Sequence, residues 1–576
     1  MRHYSERFRN FARTKQKDFM KKNILLLLLL SLAGLCAKAQ IPQWINDLEA
    51  MNKGVIDSIK YYPRNPKAPD YSSYVIYYNQ PLQHAQVGSP RFHMRALVTV
   101  DNRVDPTTAV NHVYCSGYNL MEAFLADPDS MFAYTKNDCS TEIAHRYRGN
   151  FIQIEHRYFQ YSAPDKCWER LDYLKAEEAA QDFHAFFEAM KKVLKGKWVM
   201  SGVSKGGITT LLQHTFFPDD MDIFLPYSAP FFETDRDREM VKYWFENGWS
   251  KEFRDMFNAV GHNAINHIDK TFPIYLKMSG GATTQAQIDS LYGCFLGNAS
   301  QFGFEDHCYN DTARIRKQIY VNDSILETKR AVYGDTVYTF MVSYDTFALD
   351  SFPNWIDTLR AYPDPKIAVP KRFVRQHQFR PFGITEKEWW KTDTLTGLAY
   401  EYQSKCELGY FDSRFDLFID DPAKAAEWDA FWSKNYGCLR DVLTPSYKKL
   451  SFNRALYDRV MEATKKATKP IVLIYGLDDA WTGAALKDEF INGVNVRKFI
   501  LPAQNHMVRF TSNTDLALCA QITKILDDVL GSPASDIDIS TVVGAQKADY
   551  RKVMMDGKIY ILRNNRKYTL TGVEVE

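Results

Sequence analysis

The order of elements predicts an α/β fold on a mostly parallel sheet, and three observations carry that reading. Short apolar runs alternate with helical stretches through the first third of the chain. A serine flanked by glycines sits where one apolar run meets a helix-forming segment. A second group of apolar runs appears near the end, after a long stretch of different texture.

The early runs are Arg95–Val100 (RALVTV), Asn111–Cys115 (NHVYC), Phe151–Glu155 (FIQIE) and Trp198–Ser201 (WVMS). Near-continuous apolar runs of this length suit strands buried on both faces. Lys175 to Lys195 places apolar residues at helical spacing among charges and leads straight into the last of these strands. That strand ends in Gly202-Val203-Ser204-Lys205-Gly206-Gly207, and a helix-forming stretch follows. A serine on a sharp strand-to-helix turn, with glycines two positions either side where side chains would clash, is the nucleophile elbow of an α/β-hydrolase. Ser204 is therefore the expected nucleophile.

After Phe224–Pro230 (FLPYSAP), another expected strand end, residues 233–449 are rich in Trp, Tyr, Phe and charge and mainly helical in texture. An insertion at this point of a hydrolase sheet reads as a mainly helical cap over the active site. The sheet resumes at Pro470–Gly476 (PIVLIYG) and Val496–Pro502 (VRKFILP), with a helix-like Ala484–Phe490 between them. Residues 40–232 and 450–534 thus form the two parts of the α/β-hydrolase core. From 535 to 576, Asp556-Gly557 and Asn564-Asn565 are turn signals dividing apolar runs, which predicts a small C-terminal β-meander.

Residues 1–39 read as a leader and signal peptide. Met20-Lys21-Lys22-Asn23 is a basic start, Ile24–Leu32 a leucine-rich core and Ala37-Lys38-Ala39 a small-x-small cleavage site. The expectation is initiation at Met20, a mature chain from Gln40, and an exported, periplasmic or secreted protein. The apolar run is too short for a stable membrane anchor, and bulky Leu35 argues against lipidation at Cys36. Removing 1–39 takes away nine Lys/Arg and two Asp/Glu, so the formal net charge falls from +2 to −5. A mildly acidic chain is a poor partner for nucleic acid. Eight cysteines remain (Cys115, Cys139, Cys167, Cys294, Cys308, Cys406, Cys438 and Cys519), and an even number in an exported chain suggests disulfides, with buried thiols as the alternative. No C-x-x-C or His/Cys cluster suggests a metal, and no cofactor is implied.

A serine hydroxyl needs a histidine to take its proton and a carboxylate to hold that histidine's tautomer. In this fold the order is serine, acid, histidine. Gly476-Leu477-Asp478-Asp479 ends one late strand and FILPAQNH ends the last, so Asp479 and His506 complete the constellation; Asp478 is the competing acid. The oxyanion of the tetrahedral intermediate needs two donors. The backbone N–H of Lys205 is one, and Gly117 or Tyr118, in the loop Cys115-Ser116-Gly117-Tyr118-Asn119, supplies the other. The Lys205 side chain receives no proton-transfer role.

These residues, with Asn79–His84 (NQPLQH), Glu155–Phe159 (EHRYF), Tyr402-Gln403, Cys406–Tyr410 (CELGY) and Asp479–Thr482 (DAWT), resemble the secreted bacterial tripeptidyl aminopeptidases, serine peptidases related to lysosomal prolyl carboxypeptidase. The likeness covers most of the mature chain. Ala480 stands where a proline is frequent, and Lys205 stands where the lysosomal branch has tyrosine, which points to the tripeptidyl branch. The resemblance implies peptide substrates and removal of short peptides, tripeptides above all, from free N-termini. Such a site needs a buried acidic group for the substrate ammonium. Glu155 and Glu407 are the candidates, each with an internal ion pair as the competing reading, for Glu155 with Arg157 or another base. Because an elbow and triad do not identify the acyl group, a secreted esterase is the alternative activity. An inactive exported binding protein is the non-enzymatic one.

Overall fold

The computed structural model describes residues 41–247 except 137, 168 and 169, scattered positions between 262 and 296, and strand segments between 319 and 370. It also describes 395–434 except 418 and 420, 450–533 except 512 and 514, and strand segments between 550 and 575. The expected leader at 1–39 lies outside the described residues, as do Cys294, Cys308 and Cys438. The chain divides at Lys53/Gly54 into two units. Within the first, the described structure is a helix at Gln43–Met51.

The second unit holds a nine-stranded sheet. Its strands are β1 (Ile56–Tyr61), β2 (Tyr71–Pro81), β3 (Arg91–Asp101), β4 (Asn111–Cys115), β5 (Asn150–Ile154), β6 (Trp198–Val203), β7 (Ile223–Tyr227), β8 (Ile471–Gly476) and β9 (Val496–Leu501). Their spatial order is β1-β2-β3-β5-β4-β6-β7-β8-β9. β1, β2 and β3 pair antiparallel, as do β3 and β5, and every pairing from β5 through β9 is parallel. This is the α/β-hydrolase fold, with a mixed sheet. β4 to β8 are buried at every residue, as a parallel sheet covered on both faces requires.

Three helices matter for the site: α1 (Glu142–Tyr147), α2 (Ala176–Lys191) and α3 (Lys205–Phe216). α2 buries Phe183, Phe186 and Phe187, each worth about 2 kcal/mol of transfer free energy. α3 packs on β6 and β7 and against α2. Ala484–Phe490, expected to be helix-like, instead holds the last residue of a 3₁₀ helix at Ala480–Ala484 and a single 3₁₀ turn at Asp488–Phe490, with Ala485 and Lys487 extended between them.

The segment after β7 carries helices at Glu239–Glu246, Leu395–Gln403 and Pro422–Lys434. Beside them lie short strands that the aromatic and charged texture does not signal, at Ile319–Asn322, Glu327–Tyr333, Thr336–Val342, Asp345–Thr346 and Ile367–Pro370. The start of the segment is clamped to its later part by a bridge between Asp237 and Phe411 and by the ion pairs Arg236–Asp412 and Lys405–Asp235. In the tail, Tyr550–Met555, Lys558–Arg563, Arg566–Thr569 and Glu574–Val575 pair antiparallel in sequential order; the turn dipeptides between the first three lie outside the described residues. Among the described residues no helix is long and apolar enough to cross a membrane.

Candidate active site

Ser204 stands between β6 and α3 with φ 58° and ψ −122°, a conformation costly for any residue with a Cβ. The structure over-determines it. Ser204 N–H donates to the Tyr227 carbonyl at the end of β7 (2.9 Å), and its own carbonyl accepts from Ile208 N–H (3.0 Å). A Cβ at Gly202 or Gly206 would run into the Cys115 carbonyl oxygen. The elbow glycines are thus explained by how tightly the end of β4 presses on the turn.

Asp479 and His506 follow β8 and β9, so both stand at the same, C-terminal, edge of the parallel sheet as Ser204. His506 Nδ1 is 2.9 Å from Asp479 Oδ2, and both residues are buried. The Trp481 N–H donates to the other oxygen, Oδ1, at 3.1 Å. Burial pushes the Asp479 carboxyl up, but His506, the Ser228 hydroxyl and the Trp481 N–H outweigh it and leave Asp479 below its ordinary value. Asp479, not Asp478, is the carboxylate that bonds His506.

The β4 loop meets the N-terminus of α3. Gly117 has φ +80°, and a Cβ there would lie 2.8 Å from the Lys205 carbonyl carbon. Between the two candidate second donors, Tyr118 N–H donates to the Ser116 hydroxyl at 3.1 Å, whereas Gly117 N–H, among the described residues, donates to the Cys115 sulfur at 3.4 Å. Sulfur is a weak acceptor, so Gly117 offers the more readily diverted N–H.

Glu155 requires a correction as an ammonium anchor. It is fully buried. Both its oxygens bond Arg95 (2.8 and 3.0 Å), and they also accept from Leu120 N–H, Ser162 N–H and the Ser162 hydroxyl. Five donors saturate the carboxylate. Its ion-pair partner is Arg95, on the adjacent strand β3, and not Arg157. Arg157 instead forms a bidentate pair with Asp182 (2.6 and 2.9 Å) and donates to the Leu82 carbonyl, while His84 also bonds Asp182. The NQPLQH and EHRYF motifs therefore meet through α2 in a buried brace. Glu407 accepts a hydrogen bond from Ala176 N–H at the start of α2 (2.9 Å), and burial raises its pKa. Cys115, Cys139, Cys406 and Cys519 are free thiols, so the expected disulfides do not form among them. Lys191 lies 3.6 Å from Glu188 and 3.5 Å from Asp220, making an ion-pair network of the His184–Glu188–Asp220 cluster.

Two supports escaped the sequence reading. Glu142 on α1 accepts from the Tyr227 hydroxyl (2.8 Å) and from the Thr511 N–H and hydroxyl (3.2 and 2.6 Å). It thereby joins the end of β7, where the Tyr227 carbonyl accepts from Ser204 N–H, to the segment just beyond His506. Burial raises its pKa from 4.5 to about 7. A carboxyl raised on folding contributes stability that is complete below about pH 4.5 and lost as pH rises through about 7. At 1.36 kcal/mol per unit the loss is roughly 3 kcal/mol. Glu142→Gln should remove this slope, so that its Tm relative to wild type improves from about pH 5 to about pH 8; parallel Tm-against-pH curves would refute the assignment.

The second support is an aromatic arc. Ring centroids link Tyr118 to Tyr400 (5.6 Å), Tyr400 to Tyr410 (6.0 Å), Tyr410 to Trp481 (5.9 Å) and Trp481 to His506 (6.0 Å). The arc runs from the β4 loop through the insertion to the histidine. It could not be read from sequence because its members come from four distant segments.

With this geometry in place, the PS-10 peptidase S37 family model matches residues 56–348, just over half the chain. The chain belongs to the peptidase S37 family. This S37 peptidase is a serine peptidase of α/β-hydrolase type. It is 28% identical over 223 residues to a prolyl tri/tetrapeptidyl aminopeptidase of Streptomyces mobaraensis, a match covering 38% of this chain and 42% of that protein. The S37 chain thus spans under half the length of that relative. Similar solved structures include a proline iminopeptidase of Mycobacterium smegmatis (12% identity, 82% of this chain, 98% of that one, TM-score 0.28). Another is the peroxisomal α/β-hydrolase Lpx1 of Saccharomyces cerevisiae (10%, 84%, 92%, TM-score 0.31).

Proposed function

We propose that this chain is an exported serine exopeptidase that releases short peptides, chiefly tripeptides, from free N-termini through an acyl-enzyme on Ser204. The observation that carries the chemistry is the buried Asp479–His506 pair at the sheet edge where Ser204 stands strained on its elbow. In this reading Asp479 holds the His506 Nδ1–H, and Nε2 takes the Ser204 proton as Oγ attacks the scissile carbonyl. The developing oxyanion is met by the Lys205 N–H and by an N–H of the β4 loop, Gly117 before Tyr118. His506 then protonates the leaving amine, and water hydrolyses the ester by the same steps.

The aminopeptidase reading draws support from the named activity of the Streptomyces relative and from the insertion that brings Tyr400, Tyr410 and Glu407 to this side of the sheet. With Glu155 saturated, Glu407 is the remaining ammonium anchor of the two. A compact aromatic arc suits a small apolar ring before the cut, such as proline.

The test is turnover of a chromogenic tripeptide with a free amine against its acetylated form, using exported protein whose N-terminal sequence should begin at Gln40. We expect the acetylated peptide to be cleaved about 100-fold less efficiently or worse, since a lost buried charge pair costs several kcal/mol. Glu407→Gln should lose free-peptide turnover while keeping a small ester. Hydrolysis of simple esters with neither peptide cleaved would favour the esterase.

A further inference from the structure

We propose that the Lys205 side chain is a positioning residue for acyl transfer: its ammonium, donating to the Gly117 carbonyl, locks the β4 loop onto the nucleophile elbow and keeps the two oxyanion donors in register. The inference rests on the serine-peptidase reading above. Lys205 is 1% exposed and, among the described residues, forms no ion pair. Its Nζ donates to the Gly117 oxygen and lies over the rings of Tyr118 (5.3 Å) and Phe159 (4.9 Å). Burying an ammonium without a carboxylate costs several kcal/mol, and an apolar side chain of similar volume would usually pack there at less cost. A lysine here is accounted for by what its charge does.

What the charge does follows from the connectivity. Lys205 contributes its backbone N–H at the start of α3, where the first helical N–H groups lack intrahelical partners. Its side chain reaches back to the loop that contributes the second donor, so one residue spans both halves of the oxyanion hole. Gly117, with its positive φ, has no Cβ to keep the loop away from Lys205. A positive charge beneath the hole also favours the negative charge that develops there.

Burial lowers the Lys205 pKa to about 7. The titratable groups facing it are Cys115 at the end of β4, His156 after β5 and Tyr118 on the loop. Burial pushes the Cys115 thiol up to about 11; burial and then the Lys205 charge hold His156 well below its ordinary value. Both stay neutral near pH 7, while Lys205 loses its charge as pH rises through that value.

The experiment measures kcat and KM against pH for wild type, Lys205→Met and Lys205→Arg on the free-amine tripeptide, with fluorophosphonate labelling of Ser204 and Tm for each. Lys205→Met should lower kcat about 10- to 100-fold at about pH 6 with KM within about threefold, and the gap should close by about pH 9 as the wild-type amine deprotonates. Lys205→Arg, permanently charged, should restore part of kcat without the alkaline fall. A wild-type to Met ratio constant across pH, or unchanged kcat, overturns the proposal. If Lys205→Met does not fold, Lys205→Arg and Lys205→Gln decide: kcat equal in the charged and the neutral variant, at KM within about threefold, overturns the proposal. Wild-type Ser204 that takes no label refutes the serine-peptidase reading itself; labelled Ser204 with a flat ratio refutes the lysine tie alone.

Discussion

Ser204→Ala is expected to lower kcat by five to six orders of magnitude, about 10⁵- to 10⁶-fold, because without Oγ the histidine and acid have no proton to move and only positioned water remains. The variant should fold normally. Alanine keeps the Cβ and therefore the strain of φ 58°, so its Tm should match wild type. Ser204→Gly should be equally inactive but more stable by about 1–2 kcal/mol, since glycine adopts positive φ without the Cβ clash. Together the two variants separate chemistry from strain. Measured activity above about one percent of wild type in either variant would remove Ser204 as the nucleophile, and a Gly variant no more stable than Ala would mean that the elbow stores no strain.

The second large effect concerns the acid. Asp479→Asn should cost about 10⁴-fold in kcat, because an amide can present its NH₂ to Nδ1 and favour the wrong tautomer of His506. Asp478→Asn should change kcat by no more than about threefold, the range of a substitution away from a built site. The contrast matters because the two residues are adjacent and chemically identical. Steady-state kinetics on both variants decides it: a comparable loss in Asp478→Asn, or a mild effect in Asp479→Asn, would contradict the hydrogen bond as the working geometry. The Asp479 carboxyl, held below its ordinary range, stays ionised wherever the wild-type enzyme is assayed near neutrality.

Much of this site was legible because the fold places its chemistry at strand ends. Strong apolar runs mark the strands, and the short loop past each one is then where candidates are sought, whatever the rest of the chain does. The candidates Ser204, Asp479 and His506 all stand in the turns and loops that follow such ends, after β6, β8 and β9. The antiparallel strands β1 and β2 were harder to see. β2 reads YSSYVIYYNQP, tyrosine- and serine-rich, yet it is buried over most of its length, and an amphipathic vocabulary hides that burial from a hydrophobicity pattern.

Glu155 shows the opposite failure. A buried glutamate beside a catalytic motif looks like a substrate anchor until the partner strand is known, and Arg95 is 60 residues away in the chain. Glu142 and the Tyr118–Tyr400–Tyr410–Trp481 arc share that difficulty. Glu142 meets Thr511 across 369 residues, and no local period records a contact of that separation.

By itself, the sequence determined the α/β order; it named Ser204 and His506 as candidates, narrowed the acid to two adjacent aspartates and led to the expectation of an insertion before the last strands. These follow from local rules: glycine spacing at a turn, the length of apolar runs and the order in which a hydrolase delivers its triad. Only the tertiary structure decided that Asp479 holds His506, that Arg95 consumes Glu155 and that the Lys205 ammonium lies buried against the Gly117 carbonyl. The physical reason is that a side chain's charge state and partner depend on which distant backbone is packed within about 3 Å of it, and that distance exists only once the sheet has brought the strands together.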